Sequence, residues 1–77
     1  MAEAKRVQWE FGRNLSALRK QRGFTQESLG RRVGVSRTYI NRLERGRGNP
    51  TFVMVMRLAE ALRIDAGFLL FGIRYKD

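Results

Sequence analysis

The sequence predicts an all-α fold, a compact domain of five short helices. Apolar residues recur at the spacing of one helix face, glycines and the single proline stand between these stretches, and no stretch alternates apolar and polar residues as a half-buried strand does. A chain of 77 residues has room for only one core. We therefore expect a single domain over residues 1–77, with a core at residues 9–72, a short N-terminal arm and a C-terminal tail.

The balance of charges favours a polyanionic partner. Sixteen lysines and arginines outnumber seven acidic residues, which gives a net charge of +9. This excess is typical of nucleic-acid-binding domains and leaves an acidic membrane surface as the alternative. The chain has no cysteine or histidine, so it lacks thiols, imidazoles and the usual zinc ligands. With no apolar stretch near the roughly 20 residues that span a bilayer and no apolar signal segment, we expect a cytoplasmic protein without metal or cofactor.

The first helix is predicted from the segment EFGRNLSALRKQRG. Phe11, Leu15 and Leu18 recur at i, i+4 and i+7, as on one face of a helix. Gly23 follows a basic last turn, where a helix commonly ends. Trp9, just before these apolar residues, is expected to cover the core as a lid.

Two short helices follow, each opened by a hydroxyl side chain. Thr25 can cap QESLGRRV and Ser36 can cap RTYINRLER, because such an oxygen accepts a hydrogen bond from a free N–H of the first turn. Gly34, between the two helices, can take the left-handed backbone of a sharp turn. Gly46 ends the third helix. The apolar side chains expected to form a shared core are Leu29, Val33, Val35, Ile40 and Leu43.

The only proline separates these helices from the last two. Pro50 cannot lie inside a helix, so a fourth helix, FVMVMRLAEALR, is expected after it with Thr51 as its cap. Asp65 can cap a fifth helix, AGFLLFG, which Gly72 closes. The inward face of the fourth helix is predicted to consist of Phe52, Val55, Ala59 and Leu62.

The second and third helices form a candidate helix-turn-helix. Such a unit joins two helices through a short turn that often contains glycine. Here Gln26 opens the unit, Gly30 is small enough for close helix packing, and Gly34 lies at the turn. These residues, together with the shared apolar set, predict the motif more specifically than two adjacent helices alone would.

From Phe11 to Gly72 the chain resembles the Cro and lambda-repressor class of DNA-binding domains, also called the xenobiotic-response-element family. The matching segments are LRKQRGFTQESLG, VGVSRTYINRLERGRGNPT, RLAEALRI and FLLFG. The small size and SRTYINRLERGRGNPT are also similar to the controller proteins of restriction-modification systems. The resemblance implies a five-helix lambda-repressor-like fold and a transcriptional regulator that binds double-stranded DNA, not an enzyme.

The resemblance also implies a DNA-binding surface around the third helix. Gln26 would contact a phosphate, and the helix that begins at Ser36 would lie in the major groove. The chemistry agrees, because arginine presents a fork of donors that matches guanine, and asparagine and threonine can contact other base edges. Tyr39 is left open between core packing and DNA contact. The residues expected to contact DNA are Thr25, Gln26, Ser36, Arg37, Thr38, Tyr39, Asn41, Arg42, Arg45, Arg47 and Asn49.

Glu44 is the single acid among the arginines of residues 31–47. A carboxylate that faced DNA would repel phosphate, so we expect Glu44 to turn inward towards the first helix. The resemblance implies that its partner there is Arg19. A structural ion pair between these two residues would orient the third helix.

Apolar residues of the last two helices predict a homodimer. The chain has more of them than so small a core can bury, and exposed apolar patches commonly mark interfaces. The residues expected at the interface are Val53, Met54, Met56, Phe68 and Phe71. We therefore expect a sequence-specific regulator that binds a palindromic operator as a homodimer, with contact to RNA polymerase left open. The alternative is an antitoxin or another partner-binding module of the same fold.

Overall fold

The computed structural model describes residues 2–72 and is helical throughout its regular structure, which confirms the predicted all-α fold. The helices are α1 (Ala2–Gln21), α2 (Gln26–Val33), α3 (Arg37–Glu44), α4 (Phe52–Leu62) and α5 (Ala66–Phe71). No helix within residues 2–72 is both long and apolar enough to cross a membrane. Residues 73–77, predicted as a tail, lie outside the described range.

Helices α2 to α5 each begin directly after the predicted capping residue. Thr25 Oγ1 accepts a hydrogen bond from the Ser28 N–H at 2.9 Å, and Ser28 Oγ accepts one from the Thr25 N–H at 2.9 Å, so the two form a capping box. Ser36, Thr51 and Asp65 cap their helices through one such bond each. Because a cap of this kind is worth about 1 kcal/mol, local sequence determines where these helices start.

The core lies around α1, which packs against α3 and α5, while α2 packs against α3 and α4. Helix α3 buries Ile40 and Leu43 in this core, and its exposed residues are Arg37, Thr38 and Arg42. The buried apolar residues are Phe11, Leu15, Leu18, Leu29, Val33, Ile40, Leu43, Val55, Leu58, Ala59, Leu62 and Leu69.

Helix α1 begins at Ala2, well before the predicted start, so the segment expected to be an N-terminal arm is helical. Most residues of this segment, AEAKRVQ, are strong helix formers. The spacing of apolar residues did not reveal these helical turns, because Val7 is the only large apolar residue of the segment. The long α1 brings the first two turns of the chain alongside the rest of the domain.

Two aromatic side chains lie outside the core, where the sequence predicted them inside or over it. Phe52 is 78% exposed because it is the first residue of α4, and the buried row of that helix starts one turn later at Val55. Trp9 is 56% exposed and is not a lid on the core. It stands two positions before the buried Phe11, and side chains two residues apart point to nearly opposite sides of a helix.

Gly12 lets α1 and α3 approach more closely than any other residue would. A Cβ atom at position 12 would lie 2.4 Å from the Leu43 carbonyl oxygen and 2.8 Å from that of Glu44. Both neighbours are backbone atoms at the end of α3, so they cannot rotate out of the way. The position of α3 on the domain therefore depends on the absence of a side chain at Gly12.

Candidate nucleic-acid interface

Helices α2 and α3 form the predicted helix-turn-helix. The turn between them is closed by the Gly30 carbonyl oxygen, which accepts hydrogen bonds from the N–H groups of Gly34 and Val35, each at 2.8 Å. Gly34 takes a left-handed conformation with φ of 85°. A Cβ atom at Gly30 would lie 2.6 Å from the Val35 carbonyl oxygen, so the tight turn requires the small residue that the sequence pattern singled out.

The outer face of α3 is open to solvent. Arg37, Thr38 and Arg42 are exposed, and Asn41 is half-buried beside them. Tyr39 is also half-buried and packs against the core. This face therefore presents two guanidinium groups, a hydroxyl and an amide, which are side chains suited to reading base edges in a major groove.

Further predicted residues border this face at both ends. Near the start of the helices, Thr25 and Ser36 are exposed and Gln26 is half-buried. Beyond the C-terminus of α3, the loop carries exposed polar side chains. These are Arg45, Arg47 and Asn49. The structure joins Gln26 and Asn41 by a hydrogen bond and places the other predicted residues on α3 or next to the ends of α2 and α3.

Arg19 and Glu44 form a partly enclosed ion pair between α1 and the end of α3. Arg19 Nε donates to Glu44 Oε2 at 2.5 Å, and Arg19 Nη2 donates to Glu44 Oε1 at 3.2 Å. A third donor, Arg19 Nη1, bonds the Phe24 carbonyl oxygen at 2.8 Å. The exposed fractions of the two side chains are only 10% and 7%. The guanidinium therefore neutralises the one carboxylate near the exposed arginines of α3.

The same carboxylate anchors two amides that the sequence did not predict to touch each other. Gln26 Nε2 donates to Glu44 Oε1 at 3.0 Å, and Asn41 Nδ2 donates to Gln26 Oε1 at 3.4 Å. Each amide keeps part of its hydrogen-bonding capacity for an outside partner. No sequence signal indicated the two bonds of Gln26, because Gln26, Asn41 and Glu44 come together only when α2 and α3 pack.

The arginines of α2 differ from those of α3. Arg31 forms an exposed ion pair with Glu27 at 3.6 Å, one turn apart on the same helix. The Arg32 guanidinium lies 5.5 Å from the centre of the Phe24 ring. Both arginines thus have contacts with neighbouring side chains at the surface.

The N-terminal turns of α1 lie beside the loop that follows α3, a contact that sequence reasoning missed. Gln8 Nε2 donates to the Gly48 carbonyl oxygen at 2.7 Å. Gly46 lies so close to Trp9 that a Cβ atom there would be 3.2 Å from the Trp9 Cα. Between them, Lys5, Arg6 and Trp9 border a shallow groove with the α3–α4 loop. Lys5, Trp9 and Arg13 are each four residues apart in the sequence, so they lie on one face of a helix. This spacing was the available signal for that face of α1.

Helix α4 carries an exposed apolar patch. Val53 and Met56 are 57% and 46% exposed. They border a hollow lined also by the apolar Ala59, Ile64 and Ala66 and by the charged Arg57, Glu60 and Asp65. Of the other residues predicted at a dimer interface, Phe71 is exposed. The remaining two, Met54 and Phe68, are half-buried and pack against the core.

Known proteins share this architecture. The chain is 45% identical over 54 residues to the HTH-type transcriptional regulator y4dJ of Sinorhizobium fredii, which is 70% of each chain. The restriction-modification controller protein C.AhdI of Aeromonas hydrophila superposes with a TM-score of 0.77 at 37% identity, over 80% of this chain and 94% of the controller. The P22 c2 repressor, solved in complex with a synthetic operator, gives a TM-score of 0.77 at 33% identity, over 82% and 96% of the two chains.

The helix-turn-helix, its exposed third helix and these similarities define a DNA-binding transcription regulator of lambda-repressor-like fold. The chain belongs to the HTH_3 helix-turn-helix family, whose model matches residues 15–69. The protein is accordingly a regulator and not an enzyme.

Proposed function

We propose that the protein is a sequence-specific transcriptional regulator that binds a palindromic operator as a homodimer. The observation that carries this proposal is the exposed outer face of α3, where Arg37, Thr38 and Arg42 stand clear of the domain. Its partners are double-stranded DNA, a second copy of the chain and, where it activates transcription, RNA polymerase. It acts in the cytoplasm, at the nucleoid.

In this proposal α3 lies in the major groove and reads bases. Arg37 and Arg42 each offer the paired donors that match the O6 and N7 acceptors of guanine, and Asn41 can pair with an adenine edge. The N-termini of α2 and α3 point partial positive charge at the phosphates that flank the groove. The residues that contact the backbone are Thr25, Gln26, Ser36, Tyr39, Arg45, Arg47 and Asn49.

A dimer formed through α4 and α5 would place two copies of α3 on one side of the DNA. The exposed Val53 and Met56 supply the apolar centre of that interface, with Phe71 beside it. A two-fold arrangement presents the two helices about 34 Å apart, one turn of duplex, so each reads one half of a palindrome. The operator complex of the P22 c2 repressor and the structure of C.AhdI support a role as a small repressor or a restriction-modification controller.

Selection of binding sites from a pool of random duplexes tests the proposal. We expect enrichment of a motif with two symmetric halves whose centres lie about 10 base pairs apart. The variant Arg37→Ala, carried through the same selection, should lose preference at one position of each half-site. A pool that shows no enriched motif after repeated rounds would contradict sequence-specific binding, and enrichment of a single half-site would contradict the dimer.

A further inference from the structure

We propose that the N-terminal turns of α1 form a second DNA-backbone contact surface, beside the one supplied by the helix-turn-helix. This α1 surface consists of Lys5, Arg6 and Trp9, facing Arg45 and Arg47 of the α3–α4 loop. The inference rests on the proposed function, because it extends the DNA contacts of the same protein. Lys5, Arg6 and Trp9 lie outside residues 15–69, the segment that the family model matches.

The chemistry of the groove suits phosphate. Four of its side chains, Lys5, Arg6, Arg45 and Arg47, are exposed cations, and no acidic residue lines it. The exposed Trp9 indole can donate one further hydrogen bond from its N–H. Lysines and arginines grouped around an open groove bind a phosphate chain through charge, without the close fit that recognition of a base edge requires.

The position of the groove indicates the same ligand. Arg45 and Arg47 belong both to this groove and to the loop that the proposed function assigns to the DNA backbone. A phosphate strand that contacts this loop can continue into the groove, which no acidic residue lines, while the exposed Glu3 and Glu10 of α1 lie outside the groove. Lys5, Trp9 and Arg13 follow one another at intervals of one helical turn, and the Arg13 guanidinium lies 5.4 Å from the centre of the Trp9 ring.

The α1 surface is held in place before any ligand binds. The Gln8 side chain bonds the Gly48 carbonyl oxygen at 2.7 Å, and Gly46 packs directly on the backbone of Trp9. One turn further along α1, Phe11 is buried in the core. Cations on a helix that is already fixed lose less conformational entropy on binding than those of a flexible arm. The groove is therefore a preformed feature of the domain.

Salt dependence of DNA binding distinguishes this surface from a general effect of positive charge. The double variant Lys5→Gln, Arg6→Gln removes two cations from the groove. The matched control Lys20→Gln, Arg63→Gln removes two exposed cations that do not line it. Both variants have the same net charge, and glutamine keeps the helix propensity of α1. Binding to a labelled operator duplex is measured by fluorescence anisotropy between 50 and 200 mM KCl.

The groove variant should release about 1.8 fewer counterions than wild type, since each phosphate contact on B-DNA contributes about 0.9. Across that fourfold rise in salt, wild type should lose about tenfold more affinity than the groove variant does. The control should keep the wild-type slope. Equal slopes for wild type and the groove variant, or equal changes in the two variants, would overturn the inference.

Further measurements distinguish failure of the proposed function from failure of the α1 surface alone. If wild type binds no duplex selectively, the proposed function itself fails, whereas selective binding with an unchanged slope in the groove variant removes only the α1 surface. Circular dichroism and thermal unfolding of both variants show whether the fold is kept. Ethylation interference on the operator should then reveal phosphates whose ethylation weakens binding of wild type but not of the groove variant. An identical pattern for both proteins would also overturn the inference.

Discussion

The Gln26 side chain donates a hydrogen bond to Glu44 across 3.0 Å and thereby connects the first residue of α2 to the last residue of α3. Glu44 is at the same time held by Arg19 of α1. One carboxylate thus joins α1, α2 and α3.

Loss of Arg19 should strongly destabilise the domain. The variant Arg19→Ala leaves the nearly buried Glu44 carboxylate without its cation, which is expected to cost about 3 to 5 kcal/mol of unfolding free energy. Urea denaturation followed by circular dichroism measures this loss. The control is Arg31→Ala, which removes the exposed pair with Glu27 and should cost under about 1 kcal/mol. Similar losses for the two variants would mean that the pair with Glu44 has no special role.

Gln26 and Asn41 should act as a unit in DNA binding. Their side chains share a hydrogen bond, so replacing either by alanine also disturbs the placement of the other. In a double-mutant cycle on the selected operator, the coupling free energy should fall between about 0.5 and 3 kcal/mol. The pair Thr38 and Gln26 serves as the control cycle, because no hydrogen bond joins these two in the described structure. Purely additive losses for Gln26 and Asn41 would show that they act independently.

The arginines should divide into two groups by their effect on specificity. Arg37→Ala and Arg42→Ala should each weaken binding to the preferred site by about 1 to 3 kcal/mol and relax the choice of one base pair. Arg47→Ala should weaken binding to every duplex alike and lower the salt slope by nearly one counterion. Competition assays with single-base operator variants make the comparison. If Arg37→Ala and Arg42→Ala leave base preference unchanged, α3 does not read the sequence.

Alanine at position 12 should destabilise the domain although alanine favours helix. Its Cβ atom would collide with the end of α3, and overpacking of this kind costs about 1 to 3 kcal/mol. The gain in helix propensity, about 1 kcal/mol, offsets only part of this cost. Thermal unfolding of Gly12→Ala, beside Ser16→Ala from the next turn of α1, measures the difference. A variant at position 12 that is as stable as wild type would show that α1 and α3 can move apart freely.

Charge placed on the α4 patch should separate the proposed dimer. Met56→Lys puts an ammonium group at the proposed apolar centre, so sedimentation should show a monomer, and operator binding should weaken. Val7→Lys, which changes a similarly exposed apolar residue of α1, should leave the dimer intact. A dimer that persists with Met56→Lys, at the same concentration as wild type, would exclude this face as the interface.

Local chemistry made much of the fold predictable, because caps such as Thr25 and turns such as Gly34 act within a few residues of themselves. Contacts that form only when the helices pack could not be predicted from such local signals. Phe52 matches the inward spacing of α4 but lies beyond the end of the core. The bond between Gln26 and Asn41 joins residues 15 positions apart, and nothing in either neighbourhood indicates it.

The bond between Gln26 and Asn41 also bears on how such a regulator can acquire a new operator. Arg37, Thr38 and Arg42 lie on the outside of α3, whereas Ile40, Leu43 and the Glu44 carboxylate attach this helix to the domain. Evolution or engineering can therefore exchange these three residues one at a time without loss of fold. Asn41 is different, since a new residue there removes the side-chain donor to the Gln26 amide oxygen. Retargeting at that position should proceed through paired substitutions, and laboratory libraries that vary positions 26 and 41 together should yield new specificities that single-site libraries miss.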